Sequence, residues 1–111
     1  MNYLEEALRT PDRFSLALFS TRPMAERSFR NCLTGPKKEP GLRMVANNLE
    51  IRFEQGGRLV FGVLAHDHDV WRYRGTEWEN VFMDDVHGSK LVAYANAYLH
   101  RPVYNGYRNG V

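Results

Sequence analysis

Cysteine is nearly absent from this chain. Cys32 stands alone among 111 residues, which excludes an intrachain disulfide framework or a cysteine-based zinc module and fits a reducing compartment. Long apolar runs are lacking too. None approaches the ~18 residues that a membrane span requires, and Met1 to Glu6 do not read as a secretory n-region. Net charge is small, +2, too little to announce a nucleic-acid binder by itself. Compositional bias is missing as well: 43% apolar and 25% charged residues exclude a disordered tail, a collagen-like repeat and a low-complexity polymer. No internal repeat is visible. What remains is one domain's worth of globular sequence, long enough to bury roughly two-thirds of the surface its unfolded chain exposes. The expectation is a soluble, cytoplasmic protein without membrane contact.

One further absence is local. Residues 86–111 hold three basic residues and two histidines but no acid, whereas 44–85 hold eight acids against four bases. The acid-free segment also carries Tyr94, Tyr98, Tyr104 and Tyr107. It reads either as a helix followed by a polar tail or as an arm whose Arg101, Tyr104, Tyr107 and Arg108 stack on bases and touch phosphates. The division expected is a single α/β domain over 1–100 and a basic, aromatic tail over 101–111.

Within the domain, Leu4, Ala7 and Leu8 form one stripe of a short helix over 3–9, which Pro11 stops. Phe14 to Phe19 is a nearly continuous apolar run, suited to a strand buried on both faces inside a parallel sheet. Ser20-Thr21-Arg22-Pro23 then turns into a helix over about 23–33, capped by Ser20 or Thr21 and carrying Ala25, Phe29, Cys32 and Leu33 at helical spacing. Gly35 to Gly41 is a surface loop. Beyond it Leu49, Ile51 and Phe53 alternate with charged residues, Gly56-Gly57 turns the chain, and Arg58 to Leu64 returns, a β-hairpin. After a polar stretch, Val81-Phe82-Met83 forms a short strand ending in Asp84-Asp85, and a last helix spans 89–100. The fold class expected is a small three-layer α/β domain with strands over 14–19, 49–54, 58–64 and 80–84 in a mostly parallel sheet.

Three groupings carry candidate chemistry. Asp84 and Asp85 sit at the carboxyl tip of a buried strand, the edge at which open α/β sheets bind ligands and where an acid can orient Mg²⁺ or the attacking water. A strand end that leaves its polar residues in solvent has the same pattern. His66-Asp67-His68-Asp69, joined by Asp84, Asp85 and His87, offers donors for Zn²⁺ or Mn²⁺ if the segment is extended, although no established ligand spacing is present. Cys32 lies on an apolar helix stripe and no Gly-x-Ser-x-Gly elbow exists, so covalent catalysis is not expected.

The order of these elements resembles the large terminase subunit of tailed phages over roughly residues 4–90. The strand Phe14–Phe19, the Ser20-Thr21 turn and the helix through Phe29 are similar to the segment that follows the phosphate loop in that family. The hairpin Leu49–Phe53 and Leu59–Val63 is similar to its strand pair, and Tyr73-Arg74-Gly75-Thr76-Glu77-Trp78 to its arginine-glycine step. Val81-Phe82-Met83-Asp84-Asp85-Val86 resembles its Walker B strand in the Asp-Asp form. The resemblance implies a truncated P-loop-NTPase-like core, with Arg74 near nucleotide or the DNA channel and Arg22 on the same edge as Asp84.

The departure from that family sets the functional expectation. A terminase ATPase opens with a glycine-rich loop ending in Lys-Ser/Thr, whose N–H groups and lysine hold the phosphates, and this sequence has none. The expectation is therefore a phage-encoded, non-catalytic binding or regulatory module without a cofactor, whose partner is a protein of the packaging machinery or host, or DNA. Two enzymatic alternatives stand beside it. One is half of a split ATPase in which Asp84 and Asp85 hold Mg²⁺ against a phosphate loop from another chain. The other is a metal-dependent nuclease using His66, His68, Asp84 and Asp85.

Overall fold

The computed structural model describes residues 2–33 and 41–99, without the side chains of Leu33, Asp84 and Asp85. Strand β1 (Phe14–Phe19) lies between β4 (Arg58–Val63) and β5 (Trp78–Asp85) and runs parallel to both. The hairpin of β3 (Glu50–Phe53) and β4 is antiparallel, and β2 (Leu42–Val45) pairs antiparallel to β3, giving the order β2-β3-β4-β1-β5. The sheet is thus mixed, half of its pairings parallel and half antiparallel, which corrects the mostly parallel sheet expected from sequence. The cause is β2, an outer strand with two exposed and two half-buried residues, whose weak apolar pattern left it unread.

Helices cover both faces. The helices α1 (Tyr3–Ala7) and α2 (Arg22–Leu33) share a core with Ala17, Phe19, Ile51, Phe53, Leu59 and Phe61. On the other face, α3 (Ser89–Leu99) and a 3₁₀ segment, Asp67–Arg72, pack through Val70, Ala95 and Leu99 against Leu16, Leu18 and Val81. Strand β1 is buried from Ser15 to Phe19 because it supplies both cores, which is why its sequence is apolar without alternation. Its one polar residue is satisfied: Asn80 Nδ2 donates to Ser15 Oγ at 3.1 Å.

Local signals place the helices. The Asn2 side chain accepts from the Glu5 N–H at 3.0 Å and starts α1, while Thr21 Oγ1 accepts from Met24 at 3.4 Å and starts α2. Leu49, at φ 51°, is the one non-glycine with positive φ among the described residues. Its buried side chain holds it there, against a cost of about 1–2 kcal/mol, as the chain turns from the 3₁₀ segment Ala46–Asn48 into β3. Strand β5 carries extra residues against β1: the register shifts between Phe14 and Ser15 and again between Ala17 and Phe19. Such bulges bend a strand and raise its twist.

Candidate functional site

Because β4, β1 and β5 are parallel, their carboxyl ends lie along one edge of the sheet. The chain leaves β1 towards the α2 face and leaves β4 and β5 towards the opposite face. Connections that diverge from neighbouring parallel strands open a crevice, the usual ligand position in α/β sheets. Phe19 is in register with Val63 on one side and with Asp85 on the other. The backbone therefore brings the turn Ser20-Thr21-Arg22, the turn Ala65-His66 and the pair Asp84-Asp85 to this edge, the juxtaposition of Arg22 with the acid pair expected from sequence. The Arg22 side chain is engaged on its own helix, its Nε 3.3 Å from Glu26 Oε2.

An edge of this kind grips phosphate through free backbone N–H groups. Here several of the donors have internal partners. At the start of α2, the Met24 N–H goes to Thr21 Oγ1, the Ala25 N–H goes to the Thr21 carbonyl at 3.2 Å, and Pro23 has none to give. Beyond β4, the Leu64 N–H pairs with the Phe19 carbonyl at 2.8 Å. The next two N–H groups, of Ala65 and His66, both donate to Asp69 Oδ2, at 2.9 and 3.0 Å. A carboxylate of the chain itself occupies the place of an anion.

That use of Asp69 revises the histidine cluster. The segment is helical rather than extended: His66 caps the 3₁₀ turn in a reciprocal capping box with Asp69, and the rings of His66 and His68 stack with centroids 5.4 Å apart. His68 Nε2 lies 3.8 Å from Asp69 Oδ1, and His66 and His68 are both exposed. Asp69 is 6% exposed. Burial alone would push its carboxyl up. The N–H groups of Ala65 and His66, joined by the charges of His68 and Arg72, outweigh burial and hold it below the usual carboxylate range. Among the described residues, no group of three His, Cys, Asp or Glu stands together as a metal site.

No family model, curated protein or solved structure matches the chain. Function is therefore read from the chemistry of these residues.

Tyr73 seals the same edge. Its hydroxyl accepts from the Val63 N–H at 3.0 Å and faces the Val63 carbonyl at 3.4 Å, beyond the point where β3 stops pairing with β4. The ring lies over Gly62, where a Cβ would collide with it. Burial pushes the Tyr73 phenol up, so it is a neutral donor and acceptor at physiological pH. Tyr73→Phe is expected to lower stability by about 1 kcal/mol, because it leaves the Val63 N–H without its partner. Urea unfolding of the two proteins at equal m-value checks this, and identical midpoints would show that the hydroxyl does not hold the strand.

Arg74 stacks on the rings of Trp71 and Tyr98, at 4.4 and 5.3 Å from their centroids. Burial pushes the Cys32 thiol up, which suits the inert packing role expected of it. Arg101, Tyr104, Tyr107 and Arg108, and with them the boundary at 101–111, lie outside the described residues. The sequence reading passed over one polar cluster: Glu50, 7% exposed, accepts from Arg52 Nε at 2.7 Å and Arg58 Nη1 at 3.1 Å, while the Arg58 guanidinium covers Phe14 at 4.7 Å. Alternation had placed Glu50 on a solvent face. The two arginines are what allow the carboxylate to be buried.

Proposed function

We propose that the chain is a non-catalytic binding module, a truncated terminase-ATPase-like α/β domain whose carboxyl edge engages a protein partner. The observation that carries this reading is the engagement of the edge's backbone donors by Thr21 and Asp69. Phosphoryl transfer rests on positioning and on neutralising charge, and N–H groups that are already bonded contribute little to either. The parallel pairing of β5 with β1 supports the family likeness, since it sets Asp84-Asp85 at the tip of a strand parallel to β1 and next to it. Phage origin and a place near DNA packaging belong to the same proposal. With Mg²⁺-ATP, the purified chain is expected to give no phosphate release above background. Mg²⁺-dependent hydrolysis that disappears in Asp84→Ala overturns the reading.

A second reading, a split ATPase, is favoured by one observation: among the described residues no strand pairs with β5 on the side away from β1. A phosphate-loop strand from another chain would stand there, with Mg²⁺ held between Asp84 and Asp85 and the triphosphate. Two carboxylates suit a hard cation of this kind. This reading predicts hydrolysis that rises stoichiometrically when the partner chain is titrated in.

A further inference from the structure

Among the described residues, two large aromatics are strongly exposed, and they lie together. Trp71 is 56% exposed and Tyr98 40%. Arg74 stacks on both rings, and Tyr94 extends the group with its centroid 4.8 Å from that of Tyr98. Their mounting is rigid. Val70 is buried beside Trp71, the Arg74 N–H donates to the Val70 carbonyl at 3.1 Å, and Ala95 and Leu99 anchor α3 on either side of Tyr98. An exposed tryptophan and tyrosine held in place, rather than turned inward, form a surface made for contact.

The cations of this surface come from two elements. Helix α3 contains no acid, and Lys90, Tyr94 and Tyr98 follow at intervals of four along one stripe. Arg72 and Arg74 are exposed next to Trp71, and among the described residues no carboxylate pairs with Arg74. Of the two acids in the 3₁₀ segment, Asp67 is exposed at its far end from Trp71, and Asp69 is buried and engaged by backbone N–H groups. The partner that fits must bring flat π faces and negative charge in alternation.

We infer that Trp71, Arg74 and Tyr98 form a stacking platform for single-stranded nucleic acid, with Lys90 and Arg74 neutralising phosphates. Unpaired bases expose the faces that Trp71 and Tyr98 can cover, whereas duplex bases are already stacked on one another. A guanidinium held over aromatic rings, with no carboxylate paired to it, has N–H groups to offer phosphate oxygens. The inference does not depend on the binding-module reading of the carboxyl edge, because it uses none of that edge's residues.

The test is fluorescence anisotropy of the full chain with a labelled 20-nucleotide oligo-dT and with a duplex of equal length, over a salt series. Micromolar binding of the single strand at low salt is expected, several-fold tighter than the duplex, with quenching of tryptophan emission that Trp71→Phe removes. Trp71→Ala is expected to weaken binding roughly ten-fold or more, and Trp71→Phe far less. Arg74→Ala is expected to weaken it and to make the salt dependence shallower by nearly one unit of slope. All of these residues are exposed, and unchanged circular dichroism and melting of the variants verify their fold. Equal affinity for the duplex, undiminished binding by Trp71→Ala, or no binding at low salt overturns the inference. A surface that takes only proteins gives the last of these results.

Discussion

Replacing Gly57 with alanine is expected to cost about 3 kcal/mol and to lower the melting midpoint by on the order of 10–20 °C. Gly57 is buried where the turn of the β3–β4 hairpin meets the connection from α1 to β1. Its N–H donates to the Pro11 carbonyl and its carbonyl accepts from Phe53, both at 2.9 Å, while the Arg58 N–H reaches the Arg13 carbonyl at 3.2 Å. A Cβ here would collide with the carbonyl oxygens of Pro11 and Arg13 and stand 2.7 Å from the Arg13 nitrogen. These are main-chain atoms, which cannot swing aside as a side-chain tip does. Relief requires the turn to lift from β1 at the point where Phe14 and Arg58 enter register. Gly56→Ala is the informative comparison. Gly56 has φ +102° with nothing within 4 Å of the added carbon, so only conformational strain of about 1–2 kcal/mol is expected. Thermal unfolding of both variants decides between collision and strain, and equal losses would sink the collision account.

Asp69→Ala is expected to lower stability by about 2–3 kcal/mol, with a change of pH dependence that identifies the cause. The substitution strands the N–H groups of Ala65 and His66 and removes one half of the capping box around the 3₁₀ turn. The sign of the pH effect follows from the direction of the shift. The folded carboxyl titrates below the ordinary aspartate value of about 3.9, so the folded state favours the ionised form. Its contribution is complete above the unfolded value and drains away as pH falls towards the folded one. As pH falls below about 4, the native chain is expected to lose stability more steeply than Asp69→Asn, which keeps an acceptor oxygen but no titrating charge. Parallel slopes for the two proteins would show that Asp69 carries no such linkage. Removing the carboxylate altogether frees the two backbone donors, so Asp69→Ala also offers a direct assay of whether an added anion such as phosphate can take the vacated place.

The parts of the fold that were legible in the sequence are those in which one physical signal acts alone. Phe14 to Phe19 is apolar because both faces of the sheet are covered, and it forms a strand with those bounds. The alternation Leu49-Ile51-Phe53 and the glycine pair after it mark the hairpin, while Ala25 and Phe29 mark the buried side of α2. Strand direction left no such trace. Nothing in Leu42 to Val45 distinguishes an antiparallel outer strand from loop, because an outer strand with exposed residues requires little apolar content. Histidine and aspartate in alternation between 66 and 69 have the composition of a metal site and of a capped turn alike. Only the placement of the Ala65 and His66 N–H groups around Asp69 separates the two. Trp71 and Tyr98 lie far apart in sequence, one in a polar stretch and the other in the acid-free aromatic segment, so their meeting around Arg74 had no local signature.

The position of β1 has a consequence for biosynthesis. As the middle of the three parallel strands, β1 waits for Arg58 on one side and for Trp78 on the other before either of its hydrogen-bonding rows is covered. During synthesis on a ribosome, an apolar ribbon with two open edges therefore emerges well before its neighbours exist. Distant pairing of this kind slows assembly and leaves nascent chains open to association. Yield in a cell should accordingly respond to lower growth temperature and to chaperone supply more than the melting point of the finished protein would suggest.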